Sequence, residues 1–172
     1  VEKPLCLTEN DLHQIKALYD TKSVQLMLGF NRRFSPYTET LRSFISQSEK
    51  LSSASPIAIN YRINAGVVAA DHWVHDPKVG GGRILGEVCH FIDLCTFITG
   101  SKVAGVSANS MNTADGKTDT LNVNLSFANG SIANISYFLF FLKELPKERL
   151  EVFAGGVVAI IDDFKSVVTY GK

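Results

Sequence analysis

Apolar positions along the chain keep two rhythms, helical spacing in three stretches before residue 100 and alternation after residue 103. Residues 8–20 are predicted helical, because Thr8 or Asn10 can cap the first turn, acidic side chains sit in it, and Leu12, Ile15 and Leu18 fall on one stripe. Residues 24–30 read as a strand. Ser35-Pro36 then opens a second helix, with serine as cap and proline at the first helical position, turning Leu41, Phe44 and Ile45 inward until the serine-rich stretch 46–55. Residues 56–64 alternate enough for a strand, and 65–82 have the polar and glycine content of a long functional loop. The strongest helix signal is 84–99, where Ile84, Val88, Ile92 and Cys95 share a stripe and Gly100 is placed to stop it.

Beyond that helix, residues 103–111, 120–127, 131–141, 149–153, 157–161 and 166–170 read as strands. Asp115-Gly116, Asn129-Gly130, a break at Pro146, Gly155-Gly156 and Asp162-Asp163 separate them. The pattern predicts an α+β fold, with an open, mostly antiparallel sheet of about six strands packed on helices. One face is expected to lie on the 84–99 helix. The other, assigned Phe138, Phe140 and Val123 or their neighbours, either buries them against a second copy of the protein or stays partly solvated.

The 172 residues are 45% hydrophobic and 20% charged, enough for one ordinary domain with a core. With 17 basic side chains against 17 acidic ones and no long run of either sign, the surface offers no field for nucleic acid or an anionic membrane. Neither is expected as a partner. The longest apolar run, 137–142, falls far short of the roughly 20 residues that cross a bilayer, and nothing at the start reads as a signal peptide. Cys6, Cys89 and Cys95 are irregularly spaced, with no Cys-x-x-Cys, which predicts reduced thiols in a cytoplasmic protein. Asn124, Asn129 and Asn134 each begin an Asn-x-Ser sequon inside the alternating region and are read as strand and turn chemistry. Val1 is not a methionine and no element precedes Glu2-Lys3-Pro4, so a piece of a longer protein is expected.

Three of the four histidines, His72, His75 and His90, fall in one stretch with Asp71, Asp76, Glu87 and Asp93, which makes it the candidate site. His72 and His75 with Asp71 and Asp76 have donors and spacing usable by a metal; the other reading is hydrogen bonding within the loop or contact with substrate, and no metal is assigned. Glu87, His90 and Asp93 recur at threes, so Glu87 could orient His90 for proton transfer, or the three could form a solvated face. Gly80-Gly81-Gly82 could bring backbone close to a ligand or cradle an anion. Lys3, held extended by Pro4, is a proton carrier if it meets an apolar pocket and an ordinary solvated amine if not. Gly-x-Gly-x-x-Gly, the P-loop pattern and Gly-x-Ser-x-Gly are all absent.

Taken in order, Glu2-Lys3-Pro4, Gly29-Phe30-Asn31-Arg32-Arg33-Phe34, and Gly80-Gly81-Gly82 leading into His90-Phe91-Ile92-Asp93-Leu94 resemble the Gfo/Idh/MocA family of NAD(P)-dependent oxidoreductases over the whole chain. The resemblance implies that residues 1–30 are the tail end of a dinucleotide-binding Rossmann domain, and that 31–172 are the C-terminal substrate-binding and oligomerisation domain. It implies hydride transfer between nicotinamide and a sugar or cyclitol carbon, NAD or NADP held mainly by a Rossmann domain outside this chain, and no activity for the fragment alone. Lys3 would be proton donor or hydroxyl ligand and His90 the acid/base. The family's aspartate four residues before that histidine is Gly86 here, so Glu87 would serve as third catalytic partner. Glu2, Lys3 and Pro4 would lie at the cofactor, and Asn31, Arg32, Arg62, Asn64, His72 and Trp73 at the substrate. Residues 82–91 and Leu145-Pro146-Lys147-Glu148-Arg149 are similar to a subgroup joined to a zinc-alcohol-dehydrogenase-like half, near bacterial surface-sugar biosynthesis. The competing classes are a non-catalytic sugar-binding or oligomerisation module and a metal-dependent lyase or hydrolase using Asp71, His72 and His75.

Overall fold

A computed structural model describes residues 1–48, 55–69, 71–111, 119–139 and 144–171. Helix α1, Glu9–Thr21, starts where the capping signal placed it, with the Thr8 hydroxyl accepting from the Asp11 amide. None of its residues is buried, and Leu12 and Leu18 lie exposed. The expected strand at 24–30 is absent: this segment is extended, joined to the start of the chain by Val1 N–H to Met27 O and Gly29 N–H to Val1 O, both 2.8 Å. A tight turn, Asn31–Phe34, leads into α2, Pro36–Ser46, which is capped by Ser35 and buries Leu41 and Ile45 as its spacing requires.

The seven strands are β1 Ala58–Asn64, β2 Val103–Ser110, β3 Leu121–Phe127, β4 Ile132–Phe138, β5 Glu148–Ala154, β6 Val157–Asp162 and β7 Ser166–Tyr170, in spatial order β2-β3-β4-β1-β5-β6-β7. The sheet is open and mostly antiparallel, but it is not the simple meander expected. β1 enters at its centre, parallel to β4 and antiparallel to β5. Buried Ser131 makes that insertion possible. Its hydroxyl accepts from Ile57 N–H at 2.9 Å while Ile57 O accepts from Ile132 N–H, so the two strands start in register. Asn129 bonds the Ser131 amide and donates to Thr99 O at 3.1 Å, tying the β3–β4 turn to the end of the helix that closes at Thr99.

That helix has two parts, a wide π-type turn at Ile84–Val88 and the α-helix α3, Cys89–Thr99, which Gly100 ends at φ 61°. The extra residue in the π turn rotates the apolar stripe. Ile84 is therefore exposed instead of buried, and Val88, Phe91, Leu94, Cys95 and Ile98 face the sheet. Helices α2 and α3 cover one side of the sheet, where Ile59, Tyr61, Ile63, Leu121, Val123, Leu125, Ile135, Leu150, Val152 and Ile161 form the core. Val123 thus belongs to the covered side and not, as expected, to the outer face, because it pairs with Ile135; Phe138 does point outward. Phe140 and the Asp115-Gly116 turn lie outside the described residues. Among the described residues, no helix is long and apolar enough to cross a membrane.

The face assignment has a direct check. Ile135→Ala removes a fully buried side chain and is expected to cost about 2–5 kcal/mol in urea unfolding, whereas Ile132→Ala on the outer face should stay within about 0.5 kcal/mol. Equal losses at the two positions would show that the faces are assigned wrongly.

Candidate functional site

The covered face of the sheet carries two tyrosines at the level of α3, Tyr61 on β1 and Tyr137 on β4, both fully buried. Phe91 sits between them, its ring centre 5.2 Å from Tyr61 and 6.0 Å from Tyr137. Each hydroxyl donates to a carboxylate that an arginine also grips. Tyr61 donates to Glu148, which Arg32 meets with a fork, Nε at 2.9 Å and a terminal nitrogen at 2.5 Å. Tyr137 donates to Glu87 at 2.9 Å, which Arg83 meets through Nε at 3.1 Å and a terminal nitrogen. Arg83 is the more enclosed guanidinium, 2% exposed, and it also donates to Gly66 O and Ala65 O where β1 runs into the loop. Arg32 also stacks over Phe91, 4.9 Å from the ring centre. Burial opposes the Arg32 charge, but the Glu148 bonds and field outweigh it and raise its pKa; burial likewise raises both tyrosines, which stay protonated donors.

His90 stands between these two networks. Phe30 meets its ring edge-on at 5.9 Å, and its Nδ1 is buried without a hydrogen-bond partner. Burial, then the charges of Arg32 and Lys3, push its pKa from 6.5 down to about 4, against the opposite pull of Glu148 and Glu87. At neutral pH the ring is therefore an uncharged acceptor. Glu87 does not orient His90 through a hydrogen bond, because its oxygens accept from Arg83 and Tyr137, so it acts on His90 only as a charge. Asp93, third in the series, pairs instead with Arg33.

Lys3 is half-buried, and its ammonium donates to the carbonyl of Gly86, one helical turn before His90. It lines a cavity of about 380 Å³ together with Glu2, Pro4, Cys6, His72, Trp73 and Glu87. Among the residues assigned to substrate, His72 and Trp73 reach this cavity, while Asn31, Arg32, Arg62 and Asn64 do not line it, and neither does His90. Arg62 points to the outer face and donates to Pro146 O, and Asn64 holds Leu145 O, so both fasten the 145–147 segment. Arg32 spends its donors on Glu148, and Asn31 lies exposed at the head of its turn. The glycine run serves packing within the loop: a Cβ on Gly80 would lie 2.4 Å from Val74 Cα, and the Gly80 and Gly81 amides donate to Asp76 O. His72 Nδ1 accepts from the Val74 amide, and His75 is exposed. Among the described residues no three His, Cys, Asp or Glu side chains converge as metal donors.

The sequence reading missed Glu148, Tyr61, Arg83 and Tyr137. Removing Glu148 tests the first network: Glu148→Ala leaves Arg32 buried without a counter-charge and is expected to cost about 3–5 kcal/mol, against about 1–3 kcal/mol for Tyr61→Phe, both by urea unfolding. The histidine makes a prediction of its own. Because its folded pKa is depressed, the unfolded chain takes up the proton first, so its contribution is whole above pH 6.5 and is lost as pH falls to about 4. Across that window the unfolding free energy of His90→Gln should decline less steeply than that of the parent; parallel curves would refute it.

The family model described as the GFO/IDH/MocA C-terminal domain matches residues 53–155. An uncharacterized oxidoreductase of Bacillus subtilis (strain 168) is 25% identical over 147 residues, covering 78% of this chain and 39% of that protein. The inositol 2-dehydrogenase of Rhizobium meliloti (strain 1021) is 29% identical over 142 residues, covering 78% of this chain and 41% of that protein. The crystal structure of an NAD-binding protein from Listeria innocua superposes with a TM-score of 0.76 at 25% identity, covering 98% of this chain and 49% of that one. The chain thus spans about two fifths of the length of the curated relatives it matches. With a matching family model over most of its sheet and helix α3, the chain belongs to the GFO/IDH/MocA C-terminal domain family.

Proposed function

We propose that this chain is the substrate side of an NAD(P)-dependent oxidoreductase acting on a hydroxyl or keto carbon of a cyclitol or sugar, with Lys3 and His90 handling the hydroxyl proton. The observation that carries the reading is the placement of Lys3 and His90. The Lys3 ammonium is anchored at Gly86 O, one helical turn before His90; His90 does not itself line the Lys3 cavity, and burial, then the charges of Arg32 and Lys3, keep it an uncharged acceptor at neutral pH. Loss of hydride from a secondary alcohol requires that its proton leave too. An acceptor imidazole one helical turn from a donor ammonium would suit both directions of that transfer, His90 taking the proton and Lys3 holding the oxygen.

The residues present fit one end of the cofactor. Glu2, Lys3 and Pro4 wall the cavity, while the described residues contain no glycine-rich strand-to-helix turn for a pyrophosphate. A nicotinamide, when bound, supplies the hydride acceptor or donor. Under this reading residues 1–30 belong to a dinucleotide-binding domain, which accounts for a helix α1 with no buried residue. His72 and Trp73 form the substrate wall, with Glu87 fixed as the counter-charge of Arg83 at its edge. The outer sheet face, where Ile132 and Phe153 are exposed beside Asn60, Asn124 and Asn134, is assigned to a second copy.

The test uses the full-length gene product and a panel of inositols and nucleotide sugars with NAD or NADP, followed by nicotinamide absorbance. Lys3→Met and His90→Ala should each lower kcat/KM by about 10²–10⁴-fold on whichever substrate turns over. Turnover essentially unchanged in both variants would end this reading in favour of a non-catalytic module.

A further inference from the structure

Trp73 is the single tryptophan of the chain, and it stands 61% exposed on the wall of the cavity that holds Lys3. The backbone under this indole is tightly built. Val74 beside it is buried, Trp73 O accepts from the Asp76 amide at 3.1 Å, and Asp76 O gathers the amides of Val79, Gly80 and Gly81. Gly80 lets that knot close, since a Cβ there would lie 2.6 Å from Trp73 O. The knot rests in turn on the π turn: a Cβ at Gly86 would meet Gly80 O at 3.5 Å and Val74 Cγ2 at 3.7 Å. Trp73 and the Gly86 carbonyl that carries Lys3 are therefore fixed to one piece of packing, with the indole left in solvent.

His72 widens this aromatic surface, its ring centre 5.4 Å from that of Trp73 and its plane tilted by 33°. Its Nδ1 accepts from the Val74 amide at 3.2 Å, so in the neutral ring the proton sits on Nε2, the nitrogen left to donate to a ligand. Around this shelf the cavity, about 380 Å³, adds the carboxylates of Glu2 and Glu87 as acceptors and Lys3 as a donor. That volume is near the small end of the range for ligand cavities, about 300–1,000 Å³. A flat apolar surface ringed by donors and acceptors matches a six-membered polyol ring, which has an apolar C–H face and an edge of hydroxyls that both donate and accept. The charges select further. Glu87 is balanced by Arg83, and Lys3, which already donates to Gly86 O, stands against Glu2, so the lining carries no surplus positive charge for a phosphate or carboxylate. We propose that Trp73 and His72 are the specificity residues of this site: the indole stacks on the C–H face of an uncharged six-membered polyol ring, His72 Nε2 donates to one of its hydroxyls, and rings bearing a phosphate or carboxylate are refused. The inference rests on reading the cavity as the substrate side and goes beyond it in naming the ring face and the charge.

The experiment is saturation-transfer NMR on the full-length gene product, with myo-inositol, D-glucose, a monophosphate of each and the open-chain polyol sorbitol as probes. At least one uncharged ring should bind, with its methine protons saturated most strongly, and about tenfold or more tighter than its own phosphate and than sorbitol. Trp73→Ala should weaken that ring about tenfold, Trp73→Phe about threefold or less, and His72→Phe about two- to tenfold. In the 172-residue chain, the same ring should change the emission of its one tryptophan saturably. Should Trp73→Ala lose its fold, that emission titration of the unaltered chain decides together with the phosphate comparison. Binding by no uncharged ring, a phosphate or sorbitol bound as tightly as the ring, a folded Trp73→Ala that binds like the parent, or emission that ignores a ring that binds would each overturn the proposal. None of these outcomes involves turnover. The expected binding pattern beside fully active Lys3→Met and His90→Ala enzymes would discard the acid/base reading and keep the shelf, whereas impaired turnover in those two variants without the binding pattern would discard the shelf alone.

Discussion

Phe91 wedged between two buried tyrosines is the contact on which the rest of this molecule depends. Tyr61 and Tyr137 come from β1 and β4, the parallel pair at the centre of the sheet, and each must find an acceptor for a hydroxyl that burial keeps protonated. Glu148 and Glu87 supply the acceptors, and carboxylates placed there need cations in turn. Arg32 and Arg83 answer that need from outside the sheet, and in doing so they fix the 31–34 turn and the start of the 65–69 loop. One aromatic packing choice thus obliges two charge networks, one of which reaches the candidate cavity through Glu87.

Local chemistry made much of this legible in advance. Thr8 and Ser35 cap their helices, Gly100 ends α3, and the β5–β6 and β6–β7 turns fall at the glycine and aspartate pairs, because each signal acts within a few residues. What stayed hidden depended on distant partners. The place of β1 between β4 and β5 rests on a buried Ser131 hydroxyl bonded across 74 residues, and no local pattern distinguishes that strand from an edge. The 24–30 segment alternates well enough for a strand, but a ladder needs a neighbour, and the neighbour described here is little more than Val1. The π turn moved Ile84 off the stripe by adding one residue that a fixed helical period does not contain.

The carboxylates of the site divide in the same way. Glu87 was visible from its spacing to His90, although its hydrogen bonds go elsewhere. Glu148 looked like part of a charged loop, yet it shares its parity with Leu150, Val152 and Ala154, all buried on the covered face. Tyr61 likewise alternates with Ile59 and Ile63, and Tyr137 with Ala133 and Ile135. Strand parity therefore carried the missing signal: a charged residue in register with a buried row must bring its own partner. Arg83 had only the local mark of Glu87 four residues on, and its bonds to Gly66 O and Ala65 O are set by tertiary contact.

A glycine at position 86 fits this arrangement. Glu87 and Glu148 already supply two negative groups around His90, each balanced by one arginine, and a third carboxylate beside Gly86 would favour the charged imidazole. A main-chain carbonyl orients the Lys3 ammonium as well as a carboxylate would, without adding a formal charge. The π turn suits that use, because i→i+5 bonding turns carbonyls out of the usual helical ladder and toward side chains from elsewhere in the fold. Lys3 is thereby aimed by geometry, and the imidazole one turn on stays uncharged because burial, reinforced by two cations from different elements, disfavours its proton.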